Sequence, residues 1–221
     1  MTRRLKIGPA APEVPEDLEP AAIERSAVES GSAWSRVRLD GDSAIELTVP
    51  GLEFEESRLE RVDLGGGRLA RLSLADVELD GCNLANVDAR GGGMMRALLV
   101  RCRLTGLSWT EGVVRDVVLR ECRIDLASFA ATRLDQVVFE RCLLTQSEFQ
   151  DARLRYVRFV DCDLSEIDLS GATFNDCELR GCTLDGMRGA ERLRGVAMPW
   201  GDIVASAGTF AAALGVRVLE D

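Results

Sequence analysis

The sequence predicts an all-β fold: a four-sided parallel β-helix of about eight coils, closed at its C-terminal end by a capping helix. Three observations predict it. From Gly31 to Ala190 the chain divides without a gap into units of five, and the fourth place is almost always large and apolar, as in Phe54, Leu59, Leu64, Leu69 and Leu74. The second place is small or medium, as in Val62, Val77 and Ala152, and the other three places hold nearly all the charge. Cys82, Cys102, Cys122, Cys142, Cys162 and Cys182 recur every 20 residues.

A period of five matches neither the 3.6 of an α-helix nor the 2 of a strand. It fits a chain that makes one short side with two inward residues and then turns. A 20-residue recurrence is four fives, so each cysteine stands directly above the last and the 32 units make about eight coils. With backbone hydrogen bonds between coils the rise is about 4.8 Å, which gives a rod roughly 35–40 Å long. A single coil cannot bury its own inner residues, so stability comes from stacking.

The elements follow in order. Residues 1–30 hold four prolines and break the frame. They are read as a lead-in or cap, with a short helix expected over Leu18–Val28, because an open β-helix end needs cover. Residues 31–190 form the β-helix. Within it "GGGMM" (91–95), "EGVVR" (111–115) and "GMRGA" (186–190) depart from the unit, and loose or irregular corners are expected there. Residues 191–221 are the C-terminal helix and tail. Ile203, Ala207, Phe210 and Leu214 are spaced four, three and four apart, a helical stripe between Pro199 and Gly215.

"GCNLA" and "DCDLS", followed by "EIDLS", come nearest to an Ala-(Asp/Asn)-Leu-x-x unit. Over residues 31–190 the chain resembles the pentapeptide-repeat family. The resemblance implies a right-handed quadrilateral β-helix and says little about function. It also implies two behaviours seen in some members: a terminal helix that mediates a two-fold dimer, and an outline like duplex DNA whose acidic flank binds type II topoisomerase and protects it from quinolones.

The chain has no histidine, which removes the commonest general acid/base and the commonest metal ligand. The lone lysine, Lys6, is in the tail and the lone tyrosine, Tyr156, is at an outward position. No catalytic residue, cofactor or metal is assigned, and a hydrolase using paired carboxylates is the remaining enzymatic alternative. Six thiols in a straight column do not make the convergent cage that zinc needs, so reduced, packed cysteines are expected. A net charge of −10 argues against direct nucleic-acid binding. No apolar stretch suits a membrane span or a signal peptide, and a cytoplasmic location is expected.

The expected function is a protein-binding scaffold with an unidentified partner, and the alternative is a DNA-mimicking binder of topoisomerase (gyrase). Three surfaces are candidates. Leu98, Val118 and Val138 occupy the outward third place of the second side, 20 residues apart, and predict an exposed apolar stripe. Ile203, Phe210 and Leu214 on the terminal helix are the other candidate for a homodimer. Asp161, Asp163, Glu166, Asp168, Asp176 and Glu178 form the candidate acidic patch.

Overall fold

A computed structural model describes residues 8–217. The chain is a parallel β-solenoid whose strands form one 12-stranded sheet. Every coil pairs with the next in a register of 20, as in Phe54↔Leu74, Leu74↔Met94 and Met94↔Val114. Counting from Gly31, each coil has four sides of five residues. In the middle coils sides 1 and 2 are joined in eight-residue strands, Glu53–Glu60, Ser73–Asp80, Gly93–Val100, Val113–Arg120 and Arg133–Glu140. Sides 3 and 4 pair through single bridges such as Asp63↔Asn83 and Arg68↔Asp88.

The corners explain the five-residue period. Each first-place residue from Gly31 to Gly186 has a positive φ, including non-glycine residues such as Arg36, Glu56 and Leu126. A left-handed residue at each corner turns the chain, and a side chain there costs roughly 1–2 kcal/mol. Stacking offsets that cost. Leu126 and Ala131 are exposed corner residues with φ of 59° and 55°. Replacing either by glycine is expected to raise stability by about 0.5–1 kcal/mol, the relief exceeding the entropy added to the unfolded chain. Urea melts check this, and a loss of stability in both variants would mean that the corners are not strained.

Second-place and fourth-place residues of the middle coils are buried, as the sequence pattern requires, and with the partly buried Trp34, Val37, Phe174 and Cys182 of the end coils they form one continuous core. Phe139 stacks on Phe159 at 4.8 Å and Phe129 on Phe149 at 5.0 Å, and the two columns meet edge to face. The glycine-rich units at 91–95 and 111–115 are not loose. Trp109 occupies a fourth place on side 4 and is fully buried. Its indole fills the space that side chains at 92 and 112 would occupy: a Cβ at Gly112 would lie 2.8 Å from Trp109 Cδ1 and 2.6 Å from the Gly92 carbonyl oxygen, and one at Gly92 would lie 3.0 Å from Trp109 Cζ2. Only "GMRGA" is irregular, leading into a 3-10 turn at Ala190–Leu193.

Both ends differ from expectation. No helix forms over Leu18–Val28. Glu19–Pro20 instead adds a short parallel strand to Val37–Arg38, and Arg25–Ala27 is a single 3-10 turn. Prolines and an extended upstream chain favour edge pairing here, where the first coil has unpaired backbone groups. At the C-terminus the predicted single helix is two, α1 (Trp200–Ala205) and α2 (Ala207–Ala213), broken at the buried Ser206. They close the last coil: Asp202 Oδ2 accepts from the Gly181 amide at 2.7 Å, and Thr209 Oγ1 donates to the Leu184 carbonyl at 3.2 Å.

Candidate protein-binding surfaces

The cysteine column belongs to the core. Each Sγ donates to the carbonyl 23 residues earlier, from Cys82 to Leu59 at 3.3 Å through Cys182 to Phe159 at 3.5 Å. Cys177 does the same with Leu154 at 3.5 Å. Thr132 and Ser147 make the equivalent bonds to Trp109 and Ile124. A second-place thiol or hydroxyl therefore caps a carbonyl of the preceding coil, which requires the protonated form. Burial pushes the Cys177 thiol up, which favours that form. All seven cysteines are free. Thiol titration of the denatured protein without reductant is expected to find seven, and a stoichiometric metal or a shortfall in protein kept from air would refute this. Among the described residues no group of three or more Cys, Asp or Glu could hold a metal ion.

The predicted stripe on side 2 is in place but not exposed. Leu98 pairs with Val118 and Val118 with Val138, so the three stand in one ladder. Leu98 and Val118 are half-buried and Val138 is only 8% exposed, although all three point away from the core. The chain's own N-terminal segment lies along this side. The Ala10 amide donates to Asp116 Oδ1 at 3.1 Å and the Glu13 amide to Asp76 Oδ1 at 3.1 Å. A Cβ at Gly8 would lie 3.6 Å from Arg158 Nη2, and Asp17 pairs with Arg36. The segment thus runs from the seventh coil back to the first. Asp76 is the deepest anchor: Arg96 bonds both its oxygens and holds its carboxyl below the usual range.

Charge on the solenoid is largely cancelled between coils. Arg58 pairs with Glu78 at 2.8 Å, Arg120 with Glu140 at 2.9 Å, Arg141 with Glu121 at 3.0 Å and Arg155 with Asp135, each across a 20-residue step. Pairing also divides the candidate acidic patch. Asp168 pairs with Arg188 on the next coil and Glu178 with Arg180 on its own strand, and Asp176 stands apart on side 2. Asp161, Asp163 and Glu166 remain together around the corner of sides 3 and 4. Asp185, one coil on, joins them. Among the described residues no arginine forms an ion pair with these four. Asp163 Oδ1 is occupied by the Ser165 amide and hydroxyl, whereas Asp161, Glu166 and Asp185 are exposed.

Of the predicted helical stripe, Phe210 packs against the core and Ile203 is half-buried, but Leu214 is 78% exposed. Phe210 lies within α2, whereas Leu214 is one residue past its end at Ala213. On the outer face Trp200 is 77% exposed and Val204 56%, with Leu214 and Val216 nearby in sequence and also exposed. Trp200, Val204, Ala207, Ala211 and Leu214 are spaced four, three, four and three apart. That second stripe could have been read beside the first.

A protein-family model described as a pentapeptide repeat region matches residues 92–169. Among the solved structures that align, three pentapeptide-repeat or resistance proteins illustrate the low similarity. QnrB1, a plasmid-mediated fluoroquinolone resistance protein, is 16% identical over 84% of this chain and 100% of its own, with a TM-score of 0.41. HetL, a pentapeptide repeat protein of the cyanobacterium Nostoc involved in regulating heterocyst differentiation, is 16% identical over 78% and 91%, with a TM-score of 0.39. A pentapeptide repeat protein of the Arabidopsis thaliana thylakoid lumen is 20% identical over 60% and 74%, with a TM-score of 0.27. No curated protein matches the sequence. The matched residues 92–169 are a pentapeptide repeat region, and the same five-residue frame with a left-handed residue at every corner continues on both sides of them, from Gly31 to Gly186.

Proposed function

We propose that the chain is a non-enzymatic protein-binding rod whose partner presents a basic, DNA-binding groove, with type II topoisomerase the target that the family resemblance supplies. One observation carries this reading. Arginine ladders neutralise much of the solenoid, yet Asp161, Glu166 and Asp185 stay exposed and without an arginine partner on the last coils. A localised negative potential of this kind attracts and orients a basic surface. Its position next to the apolar lid matters as well. A two-fold dimer through α1 and α2 would bring two such corners together near the middle of a longer rod. The free thiols suit a reducing, cytoplasmic setting.

The test is a gyrase supercoiling assay, with and without a quinolone, alongside competition against duplex DNA for the enzyme. The chain is expected to compete with DNA, and Asp161→Asn/Glu166→Gln/Asp185→Asn is expected to lose at least ~10-fold in potency as the local field collapses. A folded wild-type chain with no effect on gyrase at any salt concentration would leave a scaffold for some other partner. Equal potency of the triple variant would remove the acidic corner from the interface.

A further inference from the structure

The N-terminal segment reads "GPAAPEVPED" over residues 8–17, with Pro9, Pro12 and Pro15 at a spacing of three. Proline fixes its own φ and pushes the preceding residue to extended backbone, so Gly8, Ala11 and Val14 are constrained as well. Ala10 and Glu13 are left, and these are the two residues whose amides bond Asp116 and Asp76. The three prolines are half-buried, whereas Ala10, Ala11, Glu13 and Glu16 are exposed. A polyproline II helix with three residues per turn accounts for that alternation.

The two periodicities are commensurate. Three residues of polyproline II advance about 9.3 Å, and two coils of a parallel solenoid advance about 9.6 Å. Ala10 and Glu13 are three residues apart, and Asp116 and Asp76 are two coils apart. The outward apolar ladder on the same side recurs at each coil, at Leu98, Val118 and Val138. Side 2 therefore offers an apolar floor over three coils and two carboxylates, Asp76 and Asp116, set two coils apart and each accepting a free amide. Both features serve a chain with a proline at every third residue.

We propose that side 2 is a recognition groove for extended Pro-x-x-Pro-x-x-Pro segments of a partner protein, with residues 8–15 as its resident occupant in cis. The strap keeps the apolar ladder out of water until a segment of the same chemistry displaces it. Its tether makes it a strong competitor, since a short linker holds it at an effective concentration in the millimolar range. Proline pre-orders both the strap and its competitor, which limits the entropy lost on seating.

The probe is a fluorescein-labelled peptide with the sequence of residues 8–17, added to the full chain and to the full-length Pro9→Gly/Pro12→Gly/Pro15→Gly variant. The variant loosens the strap but leaves the groove intact. Saturable binding is expected, at least ~10-fold tighter to the variant than to the unaltered chain, because the cis competitor is weakened. A peptide of the same composition with its prolines adjacent is expected not to bind. Equal affinity for both chains, no binding to the variant at ~1 mM, where a tethered competitor would act, or equal binding of the rearranged peptide would overturn the proposal. A second measurement needs no loosened strap: hydrogen exchange at the Ala10 and Glu13 amides. Both amides are expected to be protected in the unaltered chain and to exchange at least ~10-fold faster in Val118→Glu, while those of Val117 and Leu119 hold. Unprotected Ala10 and Glu13 amides in the unaltered chain would show that the strap is not seated.

Discussion

Replacing Trp109 by alanine is expected to lower stability by about 3–5 kcal/mol, the range for removing a large buried aromatic side chain. The indole is fully buried, and the space around it is shaped for it. Ala89 precedes it in the fourth-place column of side 4, and Gly92 and Gly112 face it from side 1. Thr132 in the next coil donates to the Trp109 carbonyl. Collapse around the deletion would require backbone movement in several coils at once, which stacked hydrogen bonds oppose. One feature works against the indole: its Nε1–H is buried without an acceptor. That orphan costs about 1–3 kcal/mol, and packing must exceed it.

Gly112→Ala tests the same fit from the other side. Its Cβ would lie 2.6 Å from the Gly92 carbonyl oxygen and 2.8 Å from two indole atoms, so overpacking of about 1–3 kcal/mol is expected. Trp109→Leu restores the common residue of the repeat but leaves a void beside the two glycines. In the double variant the alanine fills part of that void, so the two losses should not add. A double-mutant cycle by urea denaturation should show a favourable coupling of about 0.5–3 kcal/mol between the substitutions. Strict additivity would mean that the glycines serve the backbone alone and have no part in seating the indole.

This cluster also shows where the sequence could and could not be read. The frame, the coil number and the cysteine column follow from a period that admits one physical solution, two inward residues per short side. "GGGMM" and "EGVVR" looked like defects because the pattern records places along the chain, while Trp109 reaches across a corner into the places of another side. The strap was hidden for a related reason. Leu98, Val118 and Val138 were rightly placed on one outward ladder, but what covers them lies about a hundred residues away in sequence and has no five-residue period. The proline spacing was visible. Its meaning depended on a match between three residues and two coils, which only the paired geometry displays. On the tail, the stripe Ile203, Ala207, Phe210 and Leu214 presumed one straight helix running through Leu214, but the helix is interrupted at Ser206 and α2 ends at Ala213, one residue before Leu214.

The unaltered protein is expected to be a dimer in light scattering at about 100 μM, a concentration that should populate specific homodimers of ordinary affinity. Of the two candidate surfaces, the ladder of Leu98, Val118 and Val138 is the weaker, because it is half-buried or buried and the strap is bonded to Asp76 and Asp116 on the same side. The lid remains. Trp200 and Leu214 are each more than three-quarters exposed, with Val204 and Val216 exposed as well. Large apolar side chains grouped at the end of a rod usually have a covering surface. The small residues Ala207 and Gly208 between them allow close approach, and a two-fold axis through the lid would let each Trp200 pack on the partner's copy. Changing Val204 to glutamate would place an unpaired charge in a desolvated contact, at a cost of several kcal/mol, enough to convert the dimer to a monomer. The residue is exposed in the single chain, so the melting transition of the monomer should stay within about 0.5 kcal/mol of that expected for a surface substitution. Phe210→Ala discriminates in the opposite sense. Its ring packs on the last coil, so its loss should loosen the lid and lower stability before it changes mass. A monomeric mass for the unaltered chain would sink the interface outright. A Val204→Glu variant that still ran as a dimer would move it away from α1 and α2.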